Sequence, residues 1–480
     1  MPADSIRFVL DGEVIELRDV DPTRTVLQFL REDLRRTGSK EGCAEGDCGA
    51  CTVVLAELHD DGVQLRSVNS CIQFLATLDG KELITVESLQ GSAGELHPVQ
   101  RAMLQEHGSQ CGFCTPGFVM SLYALYESNK SPSRRDIDDA LAGNLCRCTG
   151  YRPIIAAARS MYSQPQNGAQ IVHRELLDAV RRDGAYELRQ GDRAFYSPVT
   201  SAQFAALLQQ HPEATVLAGG TDVGLWVTKQ HREFDTVVYT GRVAELCKIT
   251  TTATHLEIGA AVSLTEAAPL ITQQYPGLAE LFARFASPPV RNAATLGGNI
   301  ANGSPIGDSM PALMALGSSL RLTSASGQRD VPLQDFYHDY QVNDLRDGEF
   351  IETVCIPLPG PDVIVRSYKW SKRFDQDISA VCTAYRLQLQ DGKVASLRIA
   401  CGGMAAVIKR AQYCEAAITG RPWTQETIDQ GIAALQRDFT PISDMRSSAE
   451  ARATVCGNLL QRFFLEVSGA ETESVYNYGR

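Results

Sequence analysis

The sequence has no apolar run near the roughly 18 residues that a membrane span needs. Its opening, MPADSIRFVLDGEVIELRDVD, spreads charges in a strand-like alternation and shows no positive start followed by an apolar stretch of about 7–15 residues, so a signal peptide is not expected. A soluble, cytoplasmic chain is. Positive charge is also short: 45 Lys and Arg against 57 Asp and Glu leave a net charge of -12, which argues against nucleic acid or an anionic membrane surface as a partner. No Gly-x-Gly-x-x-Gly fingerprint follows a strand pattern, so nothing supports a Rossmann nucleotide site. Internal repeats and low-complexity tracts are missing too. The 8 histidines suggest no Ser-His-Asp arrangement, and His97 and His107, flanking a helical pattern, are expected at the surface. No catalytic nucleophile or base is assigned to this chain.

What is present is a chain of 480 residues, 44% of them hydrophobic, long enough for three or four cores. It also carries 14 cysteines, which in a reducing compartment argue for metal or redox work rather than disulfides. Cys43, Cys48, Cys51, Cys71, Cys111, Cys114, Cys146 and Cys148 crowd the first third of the sequence. Cys247, Cys355, Cys382, Cys401, Cys414 and Cys456 are scattered among apolar residues and are expected to behave as small core hydrophobes.

Residues 5–19 read as a hairpin around Asp11-Gly12, and 25–35 as a helix on the spacing of Val26, Leu27, Leu30 and Leu34. A glycine-rich cysteine loop and the strand TVVLAEL follow, closing an α+β unit near Leu89. From His97 to Ser163 the pattern is helical, with Pro98, Pro116 and Pro153 at helix starts and Ser133 with Asp136 as a capping pair. Residues 164–195 are polar and weakly periodic, as in a linker. Mixed strands and a helix resume beyond it, and a last α+β segment begins near Ser367.

The cysteines form two sets. In GCAEGDCGAC, Cys43, Cys48 and Cys51 can wrap one end of a [2Fe-2S] cluster, with Cys71 as fourth ligand, while Gly42, Gly46 and Gly49 let backbone N–H groups approach the sulfurs. Cys111 and Cys114 in SQCGFCTPGF and Cys146 and Cys148 in GNLCRCTGYRP stand before helix starts, where the helix dipole lowers thiolate pKa values. Four thiolates also suit structural zinc, and that rival remains open. Two glycine motifs lie further on. TVLAGGTDVG places Gly219 and Gly220 after a strand, where they can form an anion-binding nest, and RNAATLGGNIANGSPIGD offers a second loop of small residues and hydrogen bonders.

The succession GCAEGDCGACTV, SVNSCI, SQCGFCTPGFVMS and GNLCRCTGYRPI resembles the iron-sulfur region of the molybdenum hydroxylases, the xanthine dehydrogenase and aldehyde oxidase family. The two glycine motifs resemble that family's FAD domain. The resemblance implies two [2Fe-2S] clusters and FAD, in an α+β multidomain chain. Its parts would be a ferredoxin-like β-grasp domain (1–89), a four-helix [2Fe-2S] domain (90–163), a linker (164–195), a non-Rossmann FAD-binding domain (196–360) and a C-terminal flavoprotein domain (361–480). By the same resemblance Val216, Leu217, Ala218, Gly219, Gly220, Thr221, Asp222 and Val223 cradle the FAD pyrophosphate. Phe285, Thr295, Gly297, Gly298, Asn299, Asp308, Ile351 and Lys369 fall on further flavin-contacting positions.

No molybdopterin domain follows, so the resemblance implies a small subunit whose large partner holds molybdopterin, in a dimer of heterodimers. Electrons from xanthine or hypoxanthine would pass through the Cys111 set, then the Cys43 set, to FAD and on to NAD+. Fusion of iron-sulfur and flavin regions favours xanthine dehydrogenase over carbon monoxide dehydrogenase types. An aldehyde or N-heterocycle hydroxylase is the alternative within the family, and a free-standing NADH-dependent reductase or a zinc-stapled scaffold lies outside it.

Overall fold

A computed structural model describes residues 4–59, 61–91 and 93–475. The chain divides into two compact units, Met1–Ala244 with Ser287–Ala294, and Glu245–Ala286 with Thr295–Arg480. Both mix helices and sheets, giving the expected α+β multidomain architecture.

In the first unit the expected hairpin forms: Ile6–Leu10 pairs antiparallel with Glu13–Leu17 around Asp11 and Gly12, both at positive φ. The strands Glu82–Ile84, Thr52–His59 and Gly62–Asn69 complete a five-stranded sheet in which Ile6–Leu10 and Glu82–Ile84 run parallel. Ile6, Phe8 and Leu10 pack beneath Val26, Phe29 and Leu30 of the following helix, a β-grasp arrangement. That helix is an α turn, Val26–Gln28, passing into a π turn, Phe29–Asp33. Helices Pro98–Gln105, Thr115–Ser128, Arg134–Leu141 and Arg152–Ser160 follow, with prolines in the first turns of three of them and the Ser133–Asp136 capping box formed.

His97 is not at the surface. It is 2% exposed and caps helix Pro98–Gln105, its Nδ1 accepting from the Val99 N–H at 3.2 Å, and it sits edge-on to Tyr123 and Tyr126. His107 is exposed as expected. Burial, with Lys130 adding repulsion, lowers the His97 pKa from 6.5 to about 4. The unfolded chain then takes up a proton that the folded one refuses. Stability is therefore whole above pH 6.5 and falls as pH drops from there toward 4, by about 3 kcal/mol for this group. His97→Asn, which keeps an N-cap, should remove that part of the slope when urea midpoints at neutral pH and pH 4.5 are compared. An unaltered slope refutes it.

Residues 164–173 have no regular structure, but from Arg174 on the expected linker has it: helix Arg174–Val180, then strands Tyr186–Gln190 and Arg193–Ser197 turning at Gly191. The polar surface of this segment hides its alternation, since Tyr186, Leu188 and Phe195 enter the same core as Ile6 and Phe8. Tyr186 donates to the Ala76 carbonyl at 2.6 Å, and His173 meets Glu82 at 2.7 Å. This hairpin forms a sheet with Thr236–Tyr239 and Thr215–Leu217.

The second unit holds a five-stranded antiparallel sheet, ordered Ile249–Thr251, His255–Gly259, Phe350–Pro357, Ser319–Ser324 and Gly327–Pro332. A second sheet runs Val363–Trp370, Val381–Gln390, Lys393–Gly402 and Lys409–Arg410, covered by helices Gln425–Asp438 and Ala449–Val467. Cys355, Cys382, Cys401, Cys414 and Cys456 are buried as expected, whereas Cys247, at the end of a short turn, is exposed.

Candidate metal and flavin sites

The loop from Gly42 to Cys51 owes its curl to Ala44, Gly46 and Gly49, all at positive φ. It turns backbone donors inward: the Cys48 N–H reaches Cys43 Sγ at 3.3 Å. The adjoining Cys48 thiol, helped by the N–H groups of Cys48, Glu45 and Asp47, brings the Cys43 pKa down to about 5. Cys48 is raised by the neighbouring Cys43 in return. Cys51 and Cys71, both buried, form a second such pair in which Cys71 lowers Cys51 and is itself raised.

In the other set Cys111 Sγ and Cys148 Sγ lie 3.6 Å apart, while Cys114 and Cys146 influence each other. Cys114 does cap helix Thr115–Ser128, but its thiol is not lowered: burial, then Cys146, hold it near 12. At Cys146 burial is opposed by the Thr149 hydroxyl and N–H, and the thiol is lowered. Close thiols resist joint ionisation until a positive centre stands beside them, chemistry that suits a metal cluster, although among the described residues no three or more His, Cys, Asp or Glu are already gathered around one metal position.

The two loops meet. Leu145 N–H donates to the Cys48 carbonyl at 3.0 Å, and Asn144 Nδ2 donates to the Gly49 carbonyl at 3.0 Å. A methyl at Gly117 would lie 2.0 Å from the Gly49 oxygen, and one at Gly49 would lie 2.0 Å from the Gly143 oxygen. Sequence reading passed over Asn144, Gly117 and Gly143. The one available signal was their position beside cysteine motifs.

Val216 to Val223 run from within strand Thr215–Leu217 into helix Val223–Thr228. Among the described residues, the backbone N–H groups of Gly219, Gly220 and Thr221 have no hydrogen-bond acceptor. Such a row of free donors beside a helix start suits a pyrophosphate. Gly219 must be glycine, because a Cβ would stand 1.8 Å from the Ala293 oxygen. The nest and the helix after it lie beside residues next to the first cysteine set: a Cβ at Gly220 would stand 3.3 Å from the Ile72 oxygen and one at Gly224 2.8 Å from it, and Thr228 Oγ1 donates to the Ala44 carbonyl at 2.7 Å.

The remaining candidate flavin residues lie in the second unit. Thr295 Oγ1 accepts from the Gly298 N–H at 3.0 Å, and Gly297 lies against Ala260, leaving no room for a side chain. Asn299 accepts from Ser309 Oγ at 2.6 Å. Asp308, 3% exposed, meets Lys369 Nζ at 2.6 Å and Ser379 Oγ at 2.5 Å. Ile351 is buried in strand Phe350–Pro357, and Phe285 is half-buried after helix Ala279–Ala283.

Comparison with known proteins gives matches along most of the chain. Residues 8–75 match a 2Fe-2S iron-sulfur cluster binding domain and 85–159 a [2Fe-2S] binding domain. Residues 188–359 match an FAD binding domain in molybdopterin dehydrogenase, and 366–467 a CO dehydrogenase flavoprotein C-terminal domain. Xanthine dehydrogenase of Emericella nidulans is 33% identical over 91% of this chain and 36% of its own length. Aldehyde oxidase 1 of Bos taurus is 30% identical over 96% of this chain and 39% of its own. The chain thus spans well under half the length of these relatives. Among solved structures, carbon monoxide dehydrogenase from Hydrogenophaga pseudoflava aligns with a TM-score of 0.54 at 25% identity, covering 56% of this chain and 94% of that one.

Proposed function

Since the chain belongs to the molybdenum hydroxylase family, as an iron-sulfur and FAD region of the xanthine dehydrogenase and aldehyde oxidase type, we propose that it is the small subunit of a xanthine dehydrogenase. It would join a large molybdopterin subunit in a dimer of heterodimers. The reaction would be xanthine + NAD+ + H2O to urate + NADH + H+, with hypoxanthine also oxidised. When bound, the clusters carry single electrons and FAD joins them to the hydride chemistry of NAD+.

The chain's own residues hold these groups. Cys43, Cys48, Cys51 and Cys71 would ligate one cluster, and Cys111, Cys114, Cys146 and Cys148 the other. The free N–H groups at Gly219 to Thr221 would bind the pyrophosphate. One observation supports the order: Gly220 of the nest lies against the Ile72 carbonyl, next to Cys71, and Thr228, on the helix that follows the nest, donates to the Ala44 carbonyl, next to Cys43. On this reading the first cysteine set would face the flavin, and the second, with Cys111 and Cys148 exposed, would face the partner.

The purified chain is expected to oxidise NADH with artificial acceptors and to leave xanthine untouched. Xanthine turnover by the partner-free chain refutes the division of labour. A second reading, hydroxylation of an aldehyde or N-heterocycle, is favoured by the near-equal likeness to aldehyde oxidases, 30% identity against 33% for the fungal xanthine dehydrogenase. Turnover by the complex with its co-purified large subunit, offered xanthine and then aldehydes and heterocycles, separates the two.

A further inference from the structure

Three elements bear or adjoin the cysteines of both sets, and one side chain touches all three. Asn144, 3% exposed, donates from Nδ2 to the Gly49 carbonyl at 3.0 Å and to Thr52 Oγ1 at 3.3 Å, while its Oδ1 accepts from Ser121 Oγ at 2.6 Å. Gly49 lies between Cys48 and Cys51, Ser121 sits on the helix capped by Cys114, and Asn144 precedes Cys146 by two residues.

We infer that Asn144 is a positioning residue that fixes the separation and mutual orientation of the two iron-sulfur sites. An amide serves all three partners at once: its NH2 donates both to the Gly49 carbonyl, which also accepts from the Thr52 N–H and hydroxyl, and to Thr52 Oγ1, while its oxygen accepts from Ser121. Glycines at 49 and 117 let the backbones close to contact around it, so the loops have no room to slide past one another. The adjoining Leu145 N–H to Cys48 carbonyl bond ties a ligand residue of one set to the segment leading into the other. A buried polar group satisfied on every side specifies a unique arrangement.

The inference rests on reading both sets as [2Fe-2S] sites. It is tested on the full chain by EPR of the dithionite-reduced protein, where two neighbouring paramagnets split and relax each other according to distance and orientation. Asn144→Asp replaces the donor to Gly49 with an acceptor. The expected result is unchanged iron content and unchanged g values for each cluster, with the splitting altered or lost. Parental splitting overturns the inference. If Asn144→Asp loses iron, Ser121→Ala decides: it frees only Oδ1 and is expected to weaken the splitting, and parental splitting there overturns the inference. Ile137→Ala, a core truncation in the same helical unit, is expected to lower stability with parental splitting; an equal change there reduces Asn144 to general packing and also overturns it. A parent chain without iron signals refutes the [2Fe-2S] reading, whereas coupled clusters indifferent to residue 144 refute this inference alone.

Discussion

Replacing Gly49 with alanine should leave a chain with little of its iron and a much lower urea midpoint. The added methyl would stand 2.0 Å from the Gly143 oxygen, 2.6 Å from Asn144 Nδ2 and 3.0 Å from Asn144 Cα. Two of these neighbours are backbone, so relief requires one cysteine loop to move off the other. The residue is also held at φ +69, which costs a non-glycine about 1–2 kcal/mol by itself. Overlap and backbone strain together should cost on the order of 4 kcal/mol, in the range reserved for core damage. Gly150 supplies the control, because it sits at φ +68 beside the second cysteine pair with nothing within 4 Å of a built Cβ. Gly150→Ala should therefore cost only about 1 kcal/mol and keep its iron. Iron analysis and urea unfolding of the two variants check the contrast. Equal loss in both would mean that strain alone, not contact between the loops, governs the site.

Much of this was legible in the sequence because it is local. The hairpin at Asp11-Gly12, the capping box at Ser133 and the prolines at helix starts are set by short-range backbone chemistry, and all three appear where their residues put them. Cysteine spacing likewise separates the thiols into two sets by short-range sequence alone. What stayed hidden depends on partners distant in the chain. Tyr186 and Leu188 look like linker residues until Ile6 and Phe8 are beside them, and His97 looks solvent-facing until Tyr123 and Tyr126 enclose it. The Cys114 thiol shows the limit of a one-factor rule. A helix start favours the thiolate, but burial and a second thiol outweigh it. The second glycine motif was read as one loop, yet Ser287–Ala294 belongs to the first unit and Thr295 begins the return to the second.

In the second unit, Lys369→Met should unfold the chain at far lower urea and deprive it of FAD. Lys369 and Asp308 are 8% and 3% exposed, and their ion pair spans 2.6 Å. The lysine carbonyl is fixed in turn by Arg284 Nη1 at 3.1 Å. Removing the ammonium leaves a buried carboxylate with the Ser379 hydroxyl as its remaining side-chain donor, and breaking a buried pair from one side costs about 3–5 kcal/mol. Adding Asp308→Asn removes the stranded charge, so the double variant should regain at least about 2 kcal/mol of that loss. Flavin should not return with it if the pair contacts FAD, because neither the cation nor the carboxylate is restored. Flavin-to-protein ratio and urea midpoint, measured on both single variants and the double, separate the two roles. Recovery of stability together with flavin would make the pair a folding device only. A Lys369→Met chain with parental stability and full flavin would show that it is neither.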